Sequence, residues 1–248
     1  MEFHEFGRKD APSVLIMHGM VQHWRSMYDR LHPLAEQYRL IFIAQDGFYE
    51  GSSTFTSFAD QARQIEEYVQ KNCGGQLHGA YGASQGGLLL TEILTRGKIG
   101  IKNTVMDGCY VAHQGKFAGR VTAWMFCKYK RTGKFPAFIY VTLKLMGAKA
   151  EDLMDGLKTL YFDTSEESIR RNMMENYTYR VRSELAAWPS MVHIWCGSKE
   201  PYALKSHKEL KRCLKRYNEE IMPGLGHGEF LLQHTDDCIR KIREMLGE

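Results

Sequence analysis

The sequence predicts an α/β protein, with a mostly parallel central sheet flanked by helices and a mainly helical cap insertion. Three observations lead there. Short, almost continuous apolar runs recur along the chain, each followed shortly by glycine. Stretches with helical spacing separate them. The alternation stops after Asp107 and returns only at Met191. Continuous apolar runs suit strands buried on both faces, and strand alternating with helix is the pattern of a parallel sheet.

The first clear run is Ser13 to Met17, ending at His18-Gly19. Leu40 to Ala44 repeats it and ends at Asp46-Gly47, Leu77 to Tyr81 ends at Gly82, Thr104 to Met106 ends at Asp107-Gly108, and Met191 to Cys196 ends at Gly197. Between them, Arg25–Gln37 places Met27, Leu31 and Leu34 on one helical face, and Phe58–Asn72 does the same with Ala62, Ile65 and Val69 before Gly74-Gly75. Leu88–Leu94, Ala203–Lys215 and Phe230–Leu246 are the remaining core helices. From His113 to Trp188 there is no strand–helix rhythm. Arg120–Tyr129, Glu151–Tyr161 and Glu166–Tyr179 read as helices there, and Tyr140–Leu145 is ambiguous. The expected organisation is therefore a core of residues 1–112 and 189–248, interrupted by a helical cap of residues 113–188.

The residues that carry chemistry lie at the ends of these runs. Gly82-Ala83-Ser84-Gln85-Gly86 is G-x-S-x-G between a strand and an apolar helix. A turn that sharp strains the serine and leaves no room for bulky residues two positions away. It holds the hydroxyl above the sheet at the positive end of a helix, the placement a nucleophile needs. Acyl transfer also needs two backbone N–H donors for the oxyanion. One falls to Gln85, the residue after the serine, and the other to Met20, in the loop after the first run, where Gly19 permits close approach. A general base must reach the serine from a loop. Gly224-Leu225-Gly226-His227-Gly228 offers His227. A carboxylate must orient that imidazole. Glu200, in Cys196-Gly197-Ser198-Lys199-Glu200-Pro201, is the assigned acid, with Asp107 as its rival.

With these four elements in this order, the chain resembles the α/β-hydrolase superfamily in its capped, esterase- or lipase-like form, from His18 to the last helix. The resemblance implies a Ser84–Glu200–His227 triad, no cofactor and no metal. It implies a hydrolase of small or medium esters, thioesters or amides acting through an acyl-enzyme. The same triad also serves acyltransferases and C–C bond hydrolases, and the scaffold also hosts non-catalytic ligand-binding proteins. Many relatives carry D-x-x-G-x-G-x-S after the second core strand. Here Asp46, Gly51 and Ser53 fit that pattern, but Tyr49 replaces the first glycine. That loop near the site is bulkier, which makes Tyr49 a candidate substrate contact. A glutamate stands where aspartate is commoner.

The insertion carries 13 Lys and Arg against 8 Asp and Glu, and many aromatic residues. It reads as a helical layer with an aromatic core and a solvated basic face, or as an apolar pocket with a basic rim that favours anionic substrates. Trp124 and Phe138 are its candidate substrate contacts. The basic stretch between them also suits a membrane surface. The whole chain of 248 residues has 33 Lys and Arg against 29 Asp and Glu, too small an excess to argue for nucleic acid. It is 44% hydrophobic and 25% charged, which excludes fibrous and disordered classes. Its six cysteines form no C-x-x-C pair and read as reduced thiols. No apolar run approaches the length of a spanning helix, and the N-terminus has no signal-peptide core. The expected setting is the cytoplasm, as a monomer or homodimer acting on a small-molecule acyl substrate.

Overall fold

The computed structural model describes residues 1–20, 22–134 and 164–247. Seven strands form one sheet in the order β1-β3-β2-β4-β5-β6-β7. The strands β2 (Ser13–Met17), β3 (Arg39–Ala44), β4 (Gln76–Ala83), β5 (Gly100–Asp107) and β6 (Met191–Gly197) are the five apolar runs, all parallel. The two edge strands, β1 (Glu2–Phe6) and β7 (Tyr217–Met222), do not follow from the apolar-run rule. Both are half-solvated and rich in charge, as edge strands that resist further pairing must be. β1 is antiparallel to β3 and alternates: Phe3 stacks on Tyr68 on one face, while Phe6 meets Phe42 on the other. In β7, Glu219 bonds Lys211 and Glu220 pairs with Lys241, from helices on opposite sides of the sheet.

Side-chain alternation along the central strands makes two cores. Leu15, Met17, Ile41 and Ile43 pack with α2 (Phe58–Cys73) and α3 (Gln85–Arg96). Val14, Ile16, Leu40 and Phe42 pack with α1 (Trp24–Leu31) and, at the C-terminus, with the last helix of the chain. The helix expected over Arg25–Gln37 is shorter. α1 gives way to a 3-10 turn over His32–Glu36, because Pro33 has no N–H to continue the α ladder. The chain then adds α4 (Lys116–Thr132), α5 (Glu166–Thr178), a 3-10 turn at Ser183–Ala187 and α6 (Pro201–Cys213). The final helix expected over Phe230–Leu246 is two, α7 (Glu229–Gln233) and α8 (Thr235–Leu246), broken at His234 in a non-helical conformation.

Between β5 and β6, α4 and α5 pack through Ala123, Phe126, Cys127, Tyr129, Ile169 and Met173, with Met20 against them. α5 also bonds to the core: Ser168 Oγ accepts from the Phe55 N–H (3.0 Å) and Glu175 from the Phe58 N–H (2.6 Å). The segments read as Tyr140–Leu145 and Glu151–Tyr161 lie outside the described residues. All six cysteine thiols are free. Among the described residues no helix is long and apolar enough to cross a membrane.

Candidate active site

Three loops meet at the C-terminal ends of β4, β6 and β7. Ser84 ends β4 and opens α3 with φ 51° and ψ −113°, the only non-glycine residue with positive φ among those described. Its N–H is tied to the Asp107 carbonyl at the end of β5 (2.7 Å). The glycine spacing around it has a steric cause. A Cβ on Gly82 would lie 2.6 Å from the Gly86 carbonyl oxygen, and one on Gly86 would lie 2.3 Å from that of Met17. Neither neighbour is a side chain that can swing away. Gly86→Ala should therefore lower stability by about 3 kcal/mol, the upper range for overpacking. Urea denaturation of the purified variant measures it.

His227 Nε2 lies 3.1 Å from Ser84 Oγ, and its Nδ1 lies 2.6 Å from Glu200 Oε2. The second Glu200 oxygen accepts from the Gly197 N–H (2.6 Å), and the carboxylate is buried. A carboxylate only accepts, so His227 holds its proton on Nδ1 and presents Nε2 to the serine hydroxyl. Tyr110 stacks on the imidazole, with ring centroids 4.7 Å apart. Gly108 lies so close that a Cβ there would stand 3.1 Å from both Glu200 Oε2 and His227 Nδ1.

Asp107, the rival acid, is buried beside this pair but bonds elsewhere: Tyr81 Oη donates to it at 2.6 Å. Burial pushes its carboxyl up to about 6 against that hydrogen bond, and the charge of Glu200 adds to the rise. Burial lowers the pKa of His227, but the charge and hydrogen bond of Glu200, with the charge of Asp107, outweigh it. The imidazole ends above its ordinary value.

Gly19 sits against the serine, where an added Cβ would be 3.2 Å from Ser84 Cβ, and Met20 follows it. Gln85 is the first residue of α3, so its N–H has no carbonyl one turn back to bond. The proposed aromatic contacts fare differently. Tyr49 is half-buried, and burial pushes its phenol up to about 12, with the charges of Asp46 and Glu2 adding to the rise. Trp124 is 50% exposed, because it falls on the face of α4 opposite Ala123, Phe126 and Cys127, with Lys128 Nζ 5.2 Å from its ring. Phe138 lies outside the described residues. Tyr110, Tyr81 and Gly108 carried no sequence signal as site residues, since stacking and close packing leave no spacing pattern. Among the described residues no group of His, Cys, Asp and Glu is arranged to hold a metal ion.

No family model matches the sequence, and no curated protein is matched. Solved structures are similar over nearly the whole chain. A Desulfitobacterium hafniense protein assigned to the alpha/beta hydrolase family superposes with a TM-score of 0.82 at 21% identity, covering 99% of this chain and 100% of that one. MenH from S. aureus gives 0.79 at 14% identity, covering 99% and 97%. An esterase from Exiguobacterium antarcticum gives 0.79 at 17%, covering 99% and 95%. The chain thus has the α/β-hydrolase fold.

Proposed function

We propose that this protein is a serine hydrolase of small or medium carboxylic esters, thioesters or amides. The observation that carries the reading is the single imidazole of His227 bonded to Ser84 Oγ on one side and to a buried carboxylate on the other. Ser84 Oγ attacks the substrate carbonyl carbon as its proton passes to His227 Nε2. The imidazolium is stabilised by the Glu200 carboxylate. The negative oxygen of the tetrahedral intermediate is held by the N–H groups of Gln85 and Met20. The intermediate collapses, the leaving group takes the Nε2 proton, and Ser84 carries the acyl group. A water then gives its proton to Nε2 and attacks the acyl carbon, and the acid leaves as the proton returns to Ser84. In this reading residues 113–188 form a cap segment, of which α5 is bonded to the core at the Phe55 and Phe58 N–H groups.

A fluorophosphonate tests the reading: it should add to Ser84, located by mass spectrometry of the digested protein. A ligand-binding scaffold would not take the label. Turnover of an ester in the presence of a competing alcohol should yield free acid; a transferred ester as the main product would make the protein an acyltransferase.

The titration of His227 sets a pH dependence. The base works only when neutral, and its pKa is raised, so kcat/KM should fall on the acid side at a pH above the ~6.5 of a free imidazole. Asp107→Asn removes one of the charges that raise it. The acid limb of that variant should move to lower pH, with kcat on the plateau little changed. A limb that stays in place would separate Asp107 from the titration of His227.

A further inference from the structure

A file of buried amide side chains runs from α5 to the loop after β2. Asn176 Nδ2 donates to Gln85 Oε1 (2.9 Å), Gln85 Nε2 to Gln45 Oε1 (3.0 Å), and Gln45 Nε2 to the His18 carbonyl (2.9 Å). Gln45, Gln85 and His18 are almost wholly buried, and Asn176 nearly so. The file has one possible direction. The His18 carbonyl can only accept, so Gln45 must turn its NH2 towards it, Gln85 must turn its own towards Gln45, and Asn176 towards Gln85.

The file continues through the His18 ring. The Gln45 backbone N–H reaches Nε2 at 3.4 Å, which leaves the ring proton on Nδ1, and Nδ1 donates to the Gly19 carbonyl at 2.8 Å. Burial pushes the imidazole down to about 4, so it stays neutral and keeps this arrangement at neutral pH. The Gly19 carbonyl and the Met20 N–H belong to one planar trans peptide. Fixing the oxygen therefore fixes where the N–H points. The preceding peptide is held as well, its N–H donating to Gln22 Oε1 (3.0 Å). Between Asn176 and Gln45 the file grips the side chain of Gln85, whose own backbone N–H is the second donor.

We propose that Gln45, His18 and Asn176 are positioning residues that hold the Met20 and Gln85 backbone donors in register and tie that register to the docking of α5. The inference rests on the hydrolase reading, because it assigns both N–H groups to an oxyanion. Each hydrogen bond is stronger for lying away from water and in line with the next, so a break at one end is felt at the other.

The test uses the full chain as wild type, Gln45→Met, Asn176→Asp and the double variant. Gln45→Met keeps volume and removes both side-chain bonds. Asn176→Asp keeps shape but presents only acceptors. Gln85 must then turn its NH2 to the new carboxylate and Gln45 must turn its own to Gln85, leaving Gln45 Oε1 facing the His18 carbonyl. Misplacing a donor costs ~10–100-fold. With p-nitrophenyl butyrate, each single variant should therefore lose ~10–100-fold in kcat, with KM nearly unchanged. Inhibition by a trifluoromethyl ketone, whose serine adduct carries the oxyanion, should weaken by the same factor. The effect of Asn176→Asp should shrink in the Gln45→Met background, where there is no file to reverse. Packing alone would lower thermal stability and spare kcat. Folded variants that retain kcat, or lose it without losing ketone affinity, overturn the proposal. If circular dichroism finds Gln45→Met unfolded, Asn176→Asp decides by the same kcat and ketone readouts. A wild type inert to both the ester and a fluorophosphonate overturns the hydrolase reading itself, and that outcome is distinct from an active wild type with indifferent variants.

Discussion

Ser84→Ala should fold as the wild type does and lose nearly all ester turnover, by up to ~10⁶-fold in kcat if it behaves as nucleophile deletions do in other triads. The hydroxyl is the only part removed. The N–H to the Asp107 carbonyl and the turn into α3 remain, because alanine keeps the Cβ and the backbone bonds. Alanine also keeps the cost of the turn. A side chain at φ 51° is strained by about 1–3 kcal/mol, whatever it carries beyond Cβ. Glycine would relieve that strain and lose about 0.5–1 kcal/mol to the greater freedom of the unfolded chain. Ser84→Gly should therefore be as inactive as Ser84→Ala but more stable, by about 1 kcal/mol. Calorimetry and a p-nitrophenyl ester assay on the two variants read both effects. An alanine variant that turns over near the wild-type rate would remove the serine from the reaction. A glycine variant less stable than the alanine one would mean that the strain at Ser84 is smaller than its φ implies.

What was legible in the sequence follows from how each group is constrained. The five central strands are covered on both faces, so nearly every position must be apolar and the runs stand out. β1 and β7 have one open edge, and their charged residues reach solvent or basic partners such as Arg39, Lys211 and Lys241, so Glu2-Phe3-His4-Glu5-Phe6 and Tyr217-Asn218-Glu219-Glu220-Ile221 read as polar sequence. The elbow was legible because steric exclusion acts on neighbours in sequence: Gly82 and Gly86 clear space for each other and for Met17. That His227 and Glu200 lie together beside Ser84 was legible because both follow strand ends in the expected chain order. The exposure of Trp124 was not legible, because an aromatic residue in a helix says nothing of which face carries it until the inward stripe of Ala123, Phe126 and Cys127 is known. The amide file was invisible for a related reason. Gln45, Gln85 and Asn176 are ordinary polar residues far apart in sequence, and only the fold removes them from water together.

Glu200→Gln should cut kcat by ~10⁴-fold, as amide replacement of a triad acid does elsewhere, and the cause can be followed atom by atom. One Glu200 oxygen accepts from the Gly197 N–H at 2.6 Å, and a glutamine can satisfy that donor only with its own Oε1. Its NH2 is then turned towards His227 Nδ1, now 2.6 Å from an acceptor oxygen. A donor facing Nδ1 forces that nitrogen to accept, and the ring proton moves to Nε2. The imidazole then points an N–H at Ser84 Oγ, where it must instead take a proton. The fold keeps all its contacts while the tautomer is wrong, so thermal stability should change far less than turnover. Asp107→Asn has no such consequence. Asn Oδ1 still accepts from Tyr81 Oη, and the residue makes no hydrogen bond to His227. The expected ranking is a near-complete loss for Glu200→Gln and a small change on the pH plateau for Asp107→Asn. ¹⁵N NMR of the histidine ring gives the direct check, with the proton on Nδ1 in the wild type and on Nε2 in Glu200→Gln. The reverse kinetic ranking would transfer the role of acid to Asp107 and require His227 to turn from Glu200 towards β5 during the reaction.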